Sequence, residues 1–171
     1  ERIETTMRTR IGDCLCMTDP VFYQNSANFR PTFRHKQWLE IADKRISRMR
    51  MRSEAIQHYC DVYNSQFPFW VLAEVLDFSD LSRMFDGMRV RDQQTIAESL
   101  GIRINLNSLS RNQQEKAKKQ SPLARWLEQF AIIQNTCAHH GRLWNKSFTP
   151  APTSALKAQT KFSALPARQS E

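Results

Sequence analysis

Residues 123–145 read Leu-Ala-Arg-Trp-Leu-Glu-Gln-Phe-Ala-Ile-Ile-Gln-Asn-Thr-Cys-Ala-His-His-Gly-Arg-Leu-Trp-Asn, and this stretch decides the fold. Its buried positions are expected to recur at steps of three and four, which is the spacing of one face of an α-helix. The predicted buried face comprises Leu123, Leu127, Phe130, Gln134 and Cys137, with Trp126, Ile133 and His140 beside it.

The residues around this stretch predict where the helix begins and ends. Ser121 followed by Pro122 is typical of a helix start, with serine as the cap and proline in the first turn. Gly141 is typical of a helix stop. Asn135 and His139 are therefore expected one turn apart on one face of the last turns.

Composition predicts one soluble helical domain with an anionic partner. The chain has 171 residues, 40% of them hydrophobic and 25% charged, with four glycines, which favours helices over sheet. A net charge of +8 makes nucleic acid the first candidate partner, and a merely solvated basic surface is the alternative. Neither a signal peptide nor a membrane span is predicted, and we interpret the four scattered cysteines as reduced thiols of a cytoplasmic protein. Because the chain opens inside a helical pattern without Met, we expect it to be trimmed at the N-terminus.

The rest of the chain is also predicted to be helical. Two connectors are expected between the helices. The first is a loop at 19–32, whose aromatic rings are expected to pack at an edge of the core. The second is a basic connector at 102–121, with a short helix around Leu106 and Leu109. The domain is predicted at 1–148, and a loosely structured Pro/Ala/Ser-rich tail at 149–171. The predicted helices cover 1–17, 33–64 with a possible break near Arg52 and Ser53, 69–76, 80–88 with Ser79 as its cap, and 91–100.

Two features of these predicted helices leave alternatives open. Arg45, Arg48 and Arg52 belong to a basic stripe on the long second helix, which either follows RNA phosphates or is a solvated face. Glu74 is the one charge in the apolar run 69–76, so it either pairs with an arginine or turns to solvent.

The histidine pair suggests proton transfer rather than metal binding. Cys137, His139 and His140 diverge around a helix and lack a further ligand at i±4, so neither a zinc site nor a Cys–His catalytic pair is expected. A histidine can instead act as general acid or base on RNA, which carries its own nucleophile in the 2′-hydroxyl. The structural alternative is a pair of histidines capping a helix C-terminus.

The sequence Gln-Asn-Thr-Cys-Ala-His-His-Gly-Arg-Leu-Trp-Asn at 134–145 resembles a family signature. It is similar to the motif Arg-Asn-x-x-Ala-His-His-x-Arg-Leu-Trp-Asn of Abi-like abortive-infection proteins (AbiD/AbiF type). The opening helix and the segment at 68–82, which contains Pro68, Trp70 and Glu74, resemble other parts of that family. The resemblance covers about residues 1–150.

This resemblance implies an all-α, HEPN-like helical bundle with a metal-independent ribonuclease site and no cofactor. His139 would be the motif histidine, Asn135 the polar residue of the motif, and His140 and Arg142 flanking members, with Arg142 and the basic stripe contacting RNA. Two such motifs meet across a homodimer in that superfamily. A phage-defence toxin of this kind could also have an antitoxin partner, either protein or RNA.

One position departs from the family pattern. Gln134 occupies the place of the motif arginine, and a neutral amide cannot make the forked, charge-assisted contact that arginine makes to phosphate. We therefore expect weak ribonuclease activity in this form. The alternatives are a catalytically inactive relative that binds RNA or an antitoxin, and a helical interaction domain with no RNA role.

Overall fold

The computed structural model describes residues 2–104 and 106–145, and in that part of the chain the protein is all-α. No strand occurs there, although an isolated bridge pairs Phe29 with Met88. The eight helices of the described residues are α1 (Arg2–Cys16), α2 (His35–Met49), α3 (Glu54–Val62), α4 (Phe69–Val75), α5 (Phe78–Gly87), α6 (Val90–Ser99), α7 (Arg111–Lys119) and α8 (Pro122–Ala138).

The described part of the chain forms two compact units, an N-terminal unit that ends at Arg89 and a C-terminal unit that begins at Val90. In the N-terminal unit, α1 packs against α4 and α5, and α2 packs against the same two helices. Apolar residues of α1 at successive turns, Met7, Ile11 and Leu15, are buried in this core. The helix predicted at 1–17 is therefore confirmed, with bounds Arg2–Cys16.

A buried carboxylate joins α2 to the start of α5. Asp80 is 1% exposed, and its Oδ2 atom accepts hydrogen bonds from the Arg45 Nε atom at 2.9 Å and from the Asp77 backbone N–H at 3.1 Å. Arg45 also pairs with the Asp77 carboxylate. The Trp38 indole donates to the Asp80 backbone carbonyl at 2.9 Å. Side chains of α2 therefore hold the first turn of α5 at both its acidic residues.

The aromatic loop before α2 closes one edge of this core, as predicted. Its chain makes two short 3-10 turns, at Phe22–Gln24 and Ser26–Asn28, and buries Tyr23 and Phe29. The Tyr23 hydroxyl donates to the Phe67 carbonyl at 2.8 Å. Glycine is required at position 87, because a Cβ atom there would lie 2.5 Å from the Phe33 ring.

Three predictions about the N-terminal unit are confirmed or refined. The chain does break where expected, so the long second helix is two helices, α2 and α3, with Ser53 capping α3. The apolar run 69–76 is helical, and Glu74 turns to solvent. The cap of α5 was predicted wrongly, since the helix begins two residues earlier with Asp77 rather than Ser79 as N-cap.

The C-terminal unit contains α6, α7 and α8, with α6 packed against α8. The buried Gln93 amide oxygen accepts the backbone N–H of Ser121 at 2.9 Å and so anchors the start of α8 on α6. The connector at 102–121 was predicted with one short helix around Leu106 and Leu109. A 3-10 turn at Leu106–Ser108 matches that prediction, and the structure adds α7, which was not predicted. A capping box at Ser110 and Gln113 starts α7, and Leu109 and Ala117 pack in a small cluster.

The predicted tail at 149–171 lies outside the described residues. Among the residues that are described, no helix combines the length and the apolar character needed to cross a membrane.

We expect replacement of Arg45 by alanine to destabilise the fold strongly. Asp80 would keep a carboxylate that is almost fully buried and has lost its cationic partner, which costs about 3–5 kcal/mol in comparable buried pairs. Urea unfolding measures this free energy, and Arg48→Ala is the control because Arg48 is exposed on the same helix. Equal unfolding free energies for the two variants would contradict the structural role of Arg45.

Candidate functional site

The first half of α8 is built as its sequence predicts. The Ser121 hydroxyl accepts the Leu123 backbone N–H at 3.4 Å, and Pro122 is the first helical residue. The residues buried along this half are Pro122, Leu123, Ala124, Leu127 and Ala131.

The second half of α8 differs from the prediction. Gln134 and Cys137 were expected in the buried face and His140 beside it, yet all three are exposed, and Phe130 is half-buried. The predicted helix is confirmed, but the spacing of these residues shows only that they share one face of it. Whether that face is covered depends on how far the neighbouring helices extend along it.

A Schellman motif ends α8 at Ala138. The His140 N–H donates to the Cys137 carbonyl at 3.0 Å, and the Gly141 N–H donates to the Thr136 carbonyl at 2.7 Å. The His139 N–H still donates to the Asn135 carbonyl at 3.1 Å, so His139 is the C-cap. Both histidines therefore belong to the helix cap rather than to its last turns.

The left-handed position of this cap is occupied by histidine, not glycine. His140 has φ 53°, a conformation that strains side-chain-bearing residues. Gly141, predicted as the stop, is instead the residue after it, and its role is close approach. A Cβ atom at Gly141 would lie 2.9 Å from the Thr136 carbonyl oxygen.

This geometry presents the signature residues to solvent. Asn135, His139, His140 and Arg142 are all exposed, and no hydrogen bond or ion pair joins their side chains to any residue that the structure describes. Gln134 is exposed on the same turn of α8 as Asn135. Imidazole, amide and guanidinium groups thus lie within a short segment that solvent can reach.

Exposed apolar side chains follow directly after the histidines. Leu143 is 40% exposed and Trp144 is 90% exposed. Such residues next to a polar motif are typical of surfaces that contact another molecule.

The positive charge of the chain is concentrated in the part that carries the motif. Residues 90–171 contain 12 Lys and Arg against five Asp and Glu, whereas residues 1–89 contain 13 against 12. The net charge of +8 therefore comes almost entirely from the C-terminal unit, which is the unit expected to attract a polyanion.

The three arginines predicted on the second helix have different surroundings. Arg48 and Arg52 are exposed in the N-terminal unit, as an RNA contact requires. Arg45 is 19% exposed and is held by Asp80 and Asp77. Burial lowers the pKa of Arg45, but its bonds to Asp80 and Asp77 raise that pKa by more. We therefore assign Arg45 to the fold and no longer include it among the proposed RNA contacts.

The described residues contain no group of three or more His, Cys, Asp or Glu side chains that could hold a metal ion. The four cysteines are free thiols, and Cys137 is exposed. What the segment after Asn135 offers chemically is two imidazoles for proton transfer and a guanidinium for an anion.

Sequence reasoning missed two features of this site. The first is the left-handed backbone conformation of His140. Its signal in the sequence is that glycine comes at position 141, one residue later than the usual position directly after the C-cap. The second is α7, whose signal was a serine followed three residues later by glutamine at Ser110 and Gln113.

An all-α protein with an exposed histidine pair at a helix C-terminus is the class that this fold and site define. The sequence profile of the Abi-like protein family matches residues 1–145, so the chain belongs to that family, whose members are abortive-infection proteins. No curated protein and no solved structure matches the chain significantly.

We expect His140→Gly to stabilise the protein by about 1 kcal/mol, because glycine adopts the left-handed conformation without the steric cost that other residues bear. The matched variant His139→Gly should instead destabilise it by about 0.5–1 kcal/mol. Residue 139 has an ordinary negative φ, so glycine relieves no strain there and only increases the conformational entropy of the unfolded chain. Urea unfolding measures both. A destabilising His140→Gly would show that the imidazole is kept for stability.

Proposed function

We propose that this protein is a metal-independent endoribonuclease of an abortive-infection system, acting as a homodimer on RNA. The observation that carries the proposal is the exposure of His139, His140, Asn135 and Arg142 on one helix cap of a chain in the Abi-like family. A histidine kept for packing would be buried, as His35 is.

The proposed reaction uses the nucleophile that RNA itself carries. The ribose 2′-oxygen attacks the adjacent phosphorus atom, and the bond from phosphorus to the 5′-oxygen breaks. His139 removes the 2′-hydroxyl proton, and an imidazolium returns a proton to the leaving 5′-oxygen. Asn135 orients the ribose or phosphate, and Arg142 offsets the charge that develops on the phosphate oxygens.

A second chain would supply the second half of this chemistry. The family resemblance implies two motifs that meet across a homodimer, and the exposed Leu143 and Trp144 beside the motif suit such a contact between protomers. A homodimer brings two sets of histidines to one phosphodiester.

Gln134 is the reason to expect weak activity in this form. It stands one residue before Asn135 and is exposed, so an arginine there could reach a phosphate bound at the cap. A second candidate function follows from the same residue, a catalytically inactive RNA-binding or antitoxin-interacting protein. Salt-sensitive RNA binding without cleavage would select that candidate.

We expect His139→Ala to lower the rate of RNA cleavage by about 10²–10⁴-fold, the usual contribution of a general acid or base. Cleavage of a fluorescent RNA in the presence of EDTA measures the rate and tests metal independence at once. His58→Ala is the control, because His58 is exposed in the N-terminal unit and outside the signature. An unchanged rate for His139→Ala would refute the assignment.

We expect Gln134→Arg to raise the cleavage rate by about 10–100-fold, because a charge-assisted hydrogen bond contributes about 1.5–3 kcal/mol. The control is Gln94→Arg, which adds the same charge at an exposed position of α6. If both substitutions change the rate equally, the gain is general electrostatic attraction and position 134 has no special role.

A further inference from the structure

The N-terminal unit contains a cavity that the proposed ribonuclease site does not use. Its volume is about 550 Å³, within the range of about 300–1,000 Å³ usual for small-molecule sites. Its walls come from α2, α3, α4, the 3-10 turn at Phe22–Gln24 and the loop after α3.

The inner part of the cavity is apolar and partly aromatic. Tyr23, Phe67 and Leu72 line it, and all three are buried. The Tyr23 hydroxyl is already bonded to the Phe67 carbonyl, and burial raises the pKa of Tyr23, so this residue contributes a neutral ring. Such a surface suits a flat, apolar group.

Two opposite charges stand along the α2 wall. Asp43 and Arg50 both line the cavity and are exposed. They are seven residues apart, which is two helical turns on one face and about 10 Å of helix rise. No described residue makes a hydrogen bond or ion pair with either charged group. A ligand lying along α2 would therefore meet a carboxylate at one end and a guanidinium at the other.

Another part of the cavity wall contains strained backbone. Asn64 and Ser65 have φ 51° and 59°, two successive left-handed residues without a glycine, and Ser65 lines the cavity. The Ser65 N–H donates to the Tyr59 carbonyl at 3.0 Å, which holds this turn in place. Strain that the surrounding contacts maintain is concentrated at ligand sites in proteins.

We propose that this cavity binds a nucleotide, with its phosphate at Arg50 and the N–H edge of its base at Asp43. An ionised carboxylate only accepts hydrogen bonds, so it selects a base with adjacent N–H donors, which guanine offers and uracil does not. A simple anion does not explain Asp43, and a purely apolar ligand explains neither charge. The ligand is either a free nucleotide or one unpaired nucleotide of RNA, and the site requires no catalysis at His139.

The test uses the whole chain and isothermal titration with guanosine monophosphate, uridine monophosphate, guanosine and inorganic phosphate. We expect guanosine monophosphate to bind most tightly. Arg50→Ala should weaken it by about 10–100-fold without affecting guanosine, because the lost contact is a charge-assisted bond to phosphate. Asp43→Ala should remove the preference for guanine over uracil.

Matched controls come from the same helix. Lys36→Ala and Glu40→Ala remove one charge of each sign from exposed positions of α2 outside the cavity, and both should leave the affinity unchanged. His139→Ala should also bind normally, so failure of the ribonuclease proposal and failure of this one give different results. A short guanine-containing RNA that competes better than the mononucleotide would identify RNA as the source.

Cys60 provides an independent readout because this residue lines the cavity and is a free thiol. Bound guanosine monophosphate should slow alkylation of Cys60 and leave the exposed Cys137 unchanged, as measured by peptide mass spectrometry. Absence of binding at about 10 mM nucleotide, or equal affinity in Asp43→Ala, Arg50→Ala and the unmodified protein, would overturn the proposal.

Discussion

The fold of the N-terminal unit depends on one carboxylate that has no access to water. Asp80 lies in the first turn of α5, and its charge is tolerated because Arg45 of α2 and the Asp77 N–H both donate to it. Trp38, two turns before Arg45, bonds the Asp80 carbonyl. These contacts fix the rotation and height of α2 against α5. On the same side of the cavity, the charged groups of Asp43 and Arg50 make no hydrogen bond or ion pair with any described residue.

The conformation of the candidate catalytic segment depends on a different constraint, the hydrogen bonds that end α8. The Schellman bonds turn the chain sharply after Ala138, and Gly141 lets it pass close to the Thr136 carbonyl. A histidine rather than a glycine accepts the left-handed conformation at position 140. Strain of this kind is common where side-chain chemistry matters more than stability. The cap therefore exposes both imidazoles on a backbone that its hydrogen bonds hold in one conformation.

The two units differ in net charge, which bears on the ligands that each would attract. Residues 1–89 are nearly neutral overall, and a minority of their charges form ion pairs such as Arg45 with Asp80 and Arg30 with Asp86. Residues 90–171 carry the surplus of cations together with the histidine motif. A polyanion would be attracted to the C-terminal unit by charge alone. In the N-terminal unit, recognition would instead rely on the shape and polarity of the cavity.

The sequence by itself determined the all-α class, the start of α8 at Ser121 and Pro122, and the break between α2 and α3. For Glu74 it reduced the possibilities to two, an arginine partner or exposure to solvent. These follow from local rules of capping, periodicity and proline, which act over a few residues. Only the tertiary structure decided that Arg45 belongs to the fold, that Asp77 rather than Ser79 caps α5, and that α8 is covered as far as Ala131 but not at Gln134 and Cys137. Those outcomes depend on which groups from distant parts of the chain come together, and no local pattern encodes how far along α8 a packed neighbouring helix extends.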